Sequence, residues 1–143
     1  MSRTAEQTRG FTLIELLVVI TVIAILAGLV TPMVFRNVGD AKVTAVKAQL
    51  ELLGLALDQY RLDNDYYPST IQGLEALRAA PTGEPPAANW RGPYLKKPIP
   101  TDPWGHPYLY RSPGTTNPNG YDLLSYGRDG KRGGDGDDAD IGT

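Results

Sequence analysis

Residues Phe11 to Val30 read FTLIELLVVITVIAILAGLV, twenty positions that are almost wholly apolar. As a helix this run extends about 30 Å, the thickness of a bilayer's hydrocarbon core, so it is long enough to span. The leader in front of it, MSRTAEQTRG, carries Arg3 and Arg9. Basic residues beside a membrane segment stay on the cytoplasmic side, so the rest of the chain is expected to be exported. A secretory signal peptide competes with this reading, but its apolar region is shorter, about 7–15 residues, and ends at a small-residue cleavage site. Ala24-Ile25-Leu26-Ala27 approximates such a site poorly. The last third of the chain, by contrast, is rich in Gly, Pro and Asp, so the two ends meet different solvents.

Composition removes several functions. At 143 residues the chain fits one domain. A formal net charge of −2, with Lys and Arg scattered, offers no footprint for nucleic acid. Zero cysteines exclude disulfides, thiolate metal sites and a Cys nucleophile. His106 is the only histidine, which makes a zinc or catalytic site improbable and a surface or turn position the default. The sequence holds no P-loop, dinucleotide fingerprint or nucleophile–base pair, so neither an enzyme nor a nucleotide-binding protein is expected.

Within the apolar run stands one carboxylate, Glu15. In lipid such a charge costs about 2–3 kcal/mol or more, so it marks a partner or a function unless it merely snorkels to the interface. Arg9-Gly10-Phe11-Thr12-Leu13-Ile14-Glu15 resembles the class III signal of type IV pilins and type II secretion pseudopilins. The resemblance implies that a prepilin peptidase cuts between Gly10 and Phe11 and methylates the new N-terminus. Glu15 then becomes the fifth mature residue, placed to neutralise the Phe11 ammonium of a neighbouring subunit. Removing one partner of a buried charge pair costs about 3–5 kcal/mol, so this pair can set the register of assembly.

Beyond the span, Thr31-Pro32 predicts a kink or local unwinding, because proline removes a helical hydrogen bond and clashes with the preceding turn. The resemblance adds that this stretch melts when subunits pack. Val43, Val46, Leu50, Leu53, Leu57 and Tyr60 then recur at threes and fours, the apolar stripe of an amphipathic helix, with a short coiled coil as the competing reading. Asn64, Asp65 and Pro68 end it. A short helix is predicted over residues 70–79, capped by Ser69 or Thr70 and burying Ile71, Leu74 and Leu77. Six prolines between Pro81 and Pro100 predict a loop with at most one short strand near Tyr94-Leu95. Asp102-Pro103-Trp104-Gly105 predicts a tight turn with Trp104 against the long helix. Tyr108 and Tyr110 alternate as one strand after Pro107, and residues 121–126 form its antiparallel partner. The Tyr67-Pro68, Gly73-Leu74, Leu77 and DPWG stretches resemble major pseudopilins in particular.

Asp122, Asp129, Asp135, Asp137, Asp138 and Asp140 crowd the end of the chain. On composition alone this reads as a solvated acidic tail. Glycine-spaced carboxylates also suit a hard cation, though the spacing is not that of an EF-hand. SYGRDG and DADIG resemble the calcium loop of major pseudopilins. That resemblance implies one Ca2+ held by Asp129, Asp138 and Asp140, with Asp137 competing for a place and backbone oxygens of Tyr126 and Lys131 completing the shell.

The expected fold is α+β and pilin-like: a long helical spine on a small head with a short helix, a two- to three-stranded antiparallel sheet and a calcium-binding loop. The expected divisions are a removable leader (1–10), a membrane and filament-core helix (11–32), and a periplasmic domain (33–143) comprising the amphipathic helix (33–63) and the head (64–143). The resemblance implies a single-pass inner-membrane subunit that assembles into a homo-oligomeric helical filament in the periplasm, driving export of folded proteins across the outer membrane. It also implies minor pseudopilins, an assembly platform, prepilin peptidase and membrane lipid as partners. A type IV pilin for adhesion or motility, a minor pseudopilin and a monomeric membrane-anchored calcium-binding domain are the alternatives.

Overall fold

The computed structural model describes residues 10–143, apart from the side chains of 31–37. The leader call, residues 1–10, therefore lies outside the described residues except for Gly10. The chain separates into two compact units, Met1–Val38 and Gly39–Thr143.

The first unit carries the start of α1 (Leu13–Asn64), a helix of 52 residues. Leu13–Val30 has a mean hydropathy of 2.9 with none of it buried, and by length and composition it is able to cross a membrane. The backbone of α1 stays helical through Thr31-Pro32, so the local unwinding expected there is absent from the unassembled chain. An isolated helix can carry an internal proline when the flanking residues keep their own hydrogen bonds.

In the second unit α1 supplies one wall of the core. Val46, Leu50, Leu53, Leu57 and Tyr60 are buried at the predicted spacing, while Val43 is half-buried. The helix ends where Asp65 takes a left-handed conformation, φ 70°, with its N–H donating to Arg61 O at 2.7 Å. Leu74, Leu77, Tyr108 and Leu123 close the core from the other side.

The predicted helix over 70–79 is shorter than expected. It is a single 3₁₀ segment, Leu74–Leu77, preceded by a turn. Ser69 does cap that turn: its N–H donates to Gln72 Oε1 at 2.9 Å and its Oγ accepts from Gln72 N at 3.3 Å. Gly73 at φ 62° then breaks the helical period. Ile71 consequently falls off the Leu74–Leu77 face and is 97% exposed, against the prediction that it is buried. No strand forms at Tyr94-Leu95, since both amides donate to Leu77 O, at 2.8 and 3.2 Å.

The sheet has three antiparallel strands in the order β1 (Leu109–Arg111), β2 (Asp122–Ser125), β3 (Ile141–Gly142). Tyr110 pairs with Leu123, and Ser125 pairs with Ile141. The β1–β2 connection is closed by the Asp122 carboxylate, which accepts the amides of Thr115, Thr116 and Asn117 at 2.5–3.3 Å. Burial pushes this carboxyl upward, but the three N–H donors outweigh it and hold it below the usual range.

Candidate functional site: the processing motif and the acidic loop

Gly10 and Phe11 precede α1 in exposed, non-helical backbone, Phe11 being 85% exposed. Glu15 lies in the first turn of α1. Its Oε2 accepts both the N–H and the hydroxyl of Thr12, each at 3.0 Å, and its own N–H donates to Thr12 Oγ1 at 3.3 Å. This is a reciprocal capping box, which satisfies amides that a helix start otherwise leaves open. The signal for it, Thr12-x-x-Glu15 before an apolar run, is plain in the sequence but passes unnoticed beside the stronger anomaly of a charge in oil.

The acidic loop gathers its predicted ligands without converging them. Asp129 Oδ1 accepts from Lys131 N at 3.0 Å, and Asp140 Oδ1 accepts from Gly133 N at 3.0 Å. Asp138 is gripped at both oxygens by Arg128, Nε and Nη2 each at 2.9 Å. Arg128 also donates its amide to Asp137 O at 2.8 Å, and its Nη1 lies 3.8 Å from Asp137 Oδ2. The guanidinium holds the Asp138 carboxyl below its ordinary range, and the pair raises Arg128 in turn. Among the described residues no three acidic or histidine side chains stand close enough together to share an ion. Arg128 is the residue that sequence reasoning missed, because a basic side chain inside an acidic loop looks like ordinary charge mixing.

Gly127, at φ 67°, lets the two limbs of this loop meet backbone to backbone. A Cβ there would stand 2.8 Å from both Asp137 O and Ala139 O. Tyr126 and Lys131, the predicted carbonyl donors, flank the segment that Gly127 and Gly130 bend.

The DPWG turn abuts the loop. Asp102 is 3% exposed, and its Oδ1 accepts the amides of Trp104 and His106 at 3.1 and 2.8 Å. Its Oδ2 accepts Ser125 Oγ–H at 2.6 Å, and Ser125 Oγ in turn accepts Gly127 N at 3.2 Å. His106 sits at the end of the turn with Nδ1 3.2 Å from Gly127 O, and its ring packs so near Gly130 that a Cβ there would come within 2.9 Å of Nε2. Trp104 is half-buried rather than buried, with the Lys42 ammonium of α1 5.9 Å from its ring centroid.

Two family patterns match the chain. Residues 33–143 match the family described as Type II secretion system (T2SS), protein G, and residues 7–31 match the prokaryotic N-terminal methylation motif. The chain belongs to the T2SS protein G family. It is 54% identical over 139 residues to the type II secretion system core protein G of Pseudomonas aeruginosa, covering 96% of each chain. The core protein G of Vibrio cholerae is 43% identical over 143 residues, covering 100% of this chain and 95% of that relative. A crystal structure of the major pseudopilin from the type 2 secretion system of enterohaemorrhagic Escherichia coli superposes with a TM-score of 0.64 at 39% identity. That match covers 75% of this chain and 90% of the other. The pilin-like α+β fold is thereby established, and the chain is a subunit of the type II secretion pseudopilus. The adhesion-pilus and lone-anchor alternatives give way to this assignment.

Proposed function

We propose that this pseudopilin is cut between Gly10 and Phe11, N-methylated on Phe11 and held in the inner membrane by Leu13–Val30, with residues 33–143 in the periplasm. From there it polymerises, together with minor pseudopilins and on an inner-membrane platform, into a filament that pushes folded proteins outward. It performs no catalysis of its own, and a separate cytoplasmic ATPase supplies the energy. The observation that carries the assembly step is Glu15, an acid in the first turn of an otherwise apolar span with its Oε2 held by Thr12. The Thr12 bonds hold the carboxylate at the start of the helix, beside the residue that carries the new amine, where the Phe11 ammonium of an adjoining subunit can reach it. The stretch around Pro32 is where α1 opens as subunits pack.

Glu15→Ala tests this directly. Pseudopilus yield should fall by about a hundredfold or more, as expected from about 3–5 kcal/mol for an orphaned buried charge, while Gly10–Phe11 processing continues. Normal polymerisation of processed Glu15→Ala protein would overturn the pairing.

The acidic loop is proposed to take one Ca2+ on Asp129, Asp138 and Asp140, with carbonyl oxygens of Tyr126 and Lys131 and with Asp137 in reserve. An all-oxygen donor set on glycine hinges suits a hard cation, and the ion would neutralise mutual repulsion of the acids. The chain's own requirement is that Arg128 release Asp138, because the guanidinium now spends both of that carboxylate's oxygens. Thermal melting in calcium against chelator is the check. The midpoint should rise with calcium in the natural chain and stay fixed in Asp129→Ala, and a calcium-insensitive natural chain would remove the ion from the function.

A further inference from the structure

Arg128 stands between two carboxylates and is spent on only one of them. Its Nε and Nη2 reach the two oxygens of Asp138 at 2.9 Å, while its Nη1 stops 3.8 Å from Asp137 Oδ2. The first contact is a bidentate pair, and the second is too long for a hydrogen bond. Among the described residues the Asp137 carboxylate accepts no hydrogen bond, so an unfilled acceptor lies beside a guanidinium whose Nη1 is uncommitted. Asp137 is also held in place. A Cβ at Gly39 of α1 would stand 2.8 Å from both of its oxygens, so the carboxylate lies against a helix position that has no side chain of its own. Asp137 and Asp138 are consecutive in the 3₁₀ turn Gly136–Asp138, where successive side chains diverge by about 120°. For both to turn to one ion, Asp137 has to leave α1.

We infer, resting on the reading of this loop as a calcium site, that Arg128 is a resident cation with two seats: it holds Asp138 until calcium is taken up and then passes to Asp137. The residues present fit such an exchange. Asp138 is an oxygen donor already neutralised by a positive group, and glycines bring backbone oxygens in close beside it. A Cβ at Gly134 would stand 2.5 Å from Asp138 O, and one at Gly127 would stand 2.8 Å from Asp137 O. The Arg128 side chain is 58% exposed, so packing does not oppose its rotation. Leaving Asp138 for a carboxylate that is already in reach replaces one charge-assisted contact by another, whereas release into water replaces it by none. Asp137 is thus a positioning residue, which draws the competitor away without touching the ion. The same pair keeps Asp138 from joining Asp129 and Asp140 in one cluster.

Calorimetric titration of the full-length chain in detergent with Ca2+, at about 0.15 M salt to screen distant charges, reads the exchange. Arg128→Ala removes the competitor, so the ion should bind about two- to fivefold more tightly, the factor that an exposed bidentate pair contributes. Arg128→Lys keeps the charge but loses the fork, and its affinity should fall between the two. Asp137→Asn should weaken binding by about two- to fivefold in the natural chain, yet by less than about twofold in the Arg128→Ala background, where no guanidinium needs a second seat. In chelator Arg128→Ala should melt below the natural chain, and its midpoint should rise further when calcium is added. Equal losses from Asp137→Asn in both backgrounds would make Asp137 a ligand and overturn the exchange. So would a calcium affinity that Arg128→Ala leaves unchanged or lowers. If neither the natural chain nor Arg128→Ala binds calcium, the calcium site itself falls and the exchange with it, and binding measured in the natural chain tells the two failures apart.

Discussion

Between Leu13 and Val30 no side chain is buried, whereas farther along the same helix Val46, Leu53, Leu57 and Tyr60 are at most 1% exposed. The two stretches are both apolar and both helical, yet they specify structure in different ways. In the span, Glu15 apart, any residue of suitable hydropathy serves, because its surroundings, lipid or neighbouring subunits, come from outside the chain. In the head each buried apolar position meets a particular partner, and polar anchors such as Asp102 hold the loops between them. Interchangeability is therefore a property of the first region and not of the second.

The largest effect that separates them is alkaline. Burial pushes Tyr60, Tyr108 and Tyr121 up from 10 to about 12, and Tyr110 is raised as well. A raised folded value contributes stability that is complete below pH 10 and is lost as pH climbs toward 12. Circular dichroism should show the head's tertiary signal collapsing across that window with tyrosinate absorbance rising in step, while the detergent-held span stays helical. Tyrosines that ionise near pH 10 without unfolding would contradict the packed core.

Next in size is a matched pair of truncations. Leu57→Ala should destabilise the head by about 2–5 kcal/mol in chemical denaturation, because Leu57 is fully buried. Ile20→Ala, in detergent, should move the same transition by less than about 0.5 kcal/mol. Equal losses would erase the distinction between the regions.

Smallest is Asp102→Asn. Isosteric in shape, it places an amide where carboxylate oxygens accept Ser125 and the Trp104 and His106 amides, so stability should fall by about 1–3 kcal/mol. The loss should concentrate in the 126–140 loop, seen as faster hydrogen exchange there than in α1. Uniform acceleration throughout the head would mean that Asp102 supports the fold generally rather than the loop.

Much of this molecule was readable before any coordinates. The span, the Gly10–Phe11 motif, the buried stripe on α1 and the β1–β2 hairpin all follow from local patterns: a run of twenty apolar residues, spacings of three and four, and strand residues bounded by Pro and Gly. Such patterns are legible because period and composition act over a few neighbouring residues. The short helix after Ser69 was legible only in part, since one glycine at φ 62° cut it and turned Ile71 to solvent.

What tertiary structure alone decided are the meetings between distant residues. Leu77 O, rather than a strand partner, takes the amides of Tyr94 and Leu95. Asp102 reaches Ser125 across 23 positions, and Arg128 takes Asp138 out of an acidic run that composition leaves undifferentiated. A carboxylate's partner is whichever donor the folded backbone brings within about 3 Å, and that depends on the closure of loops whose ends lie far apart in the chain.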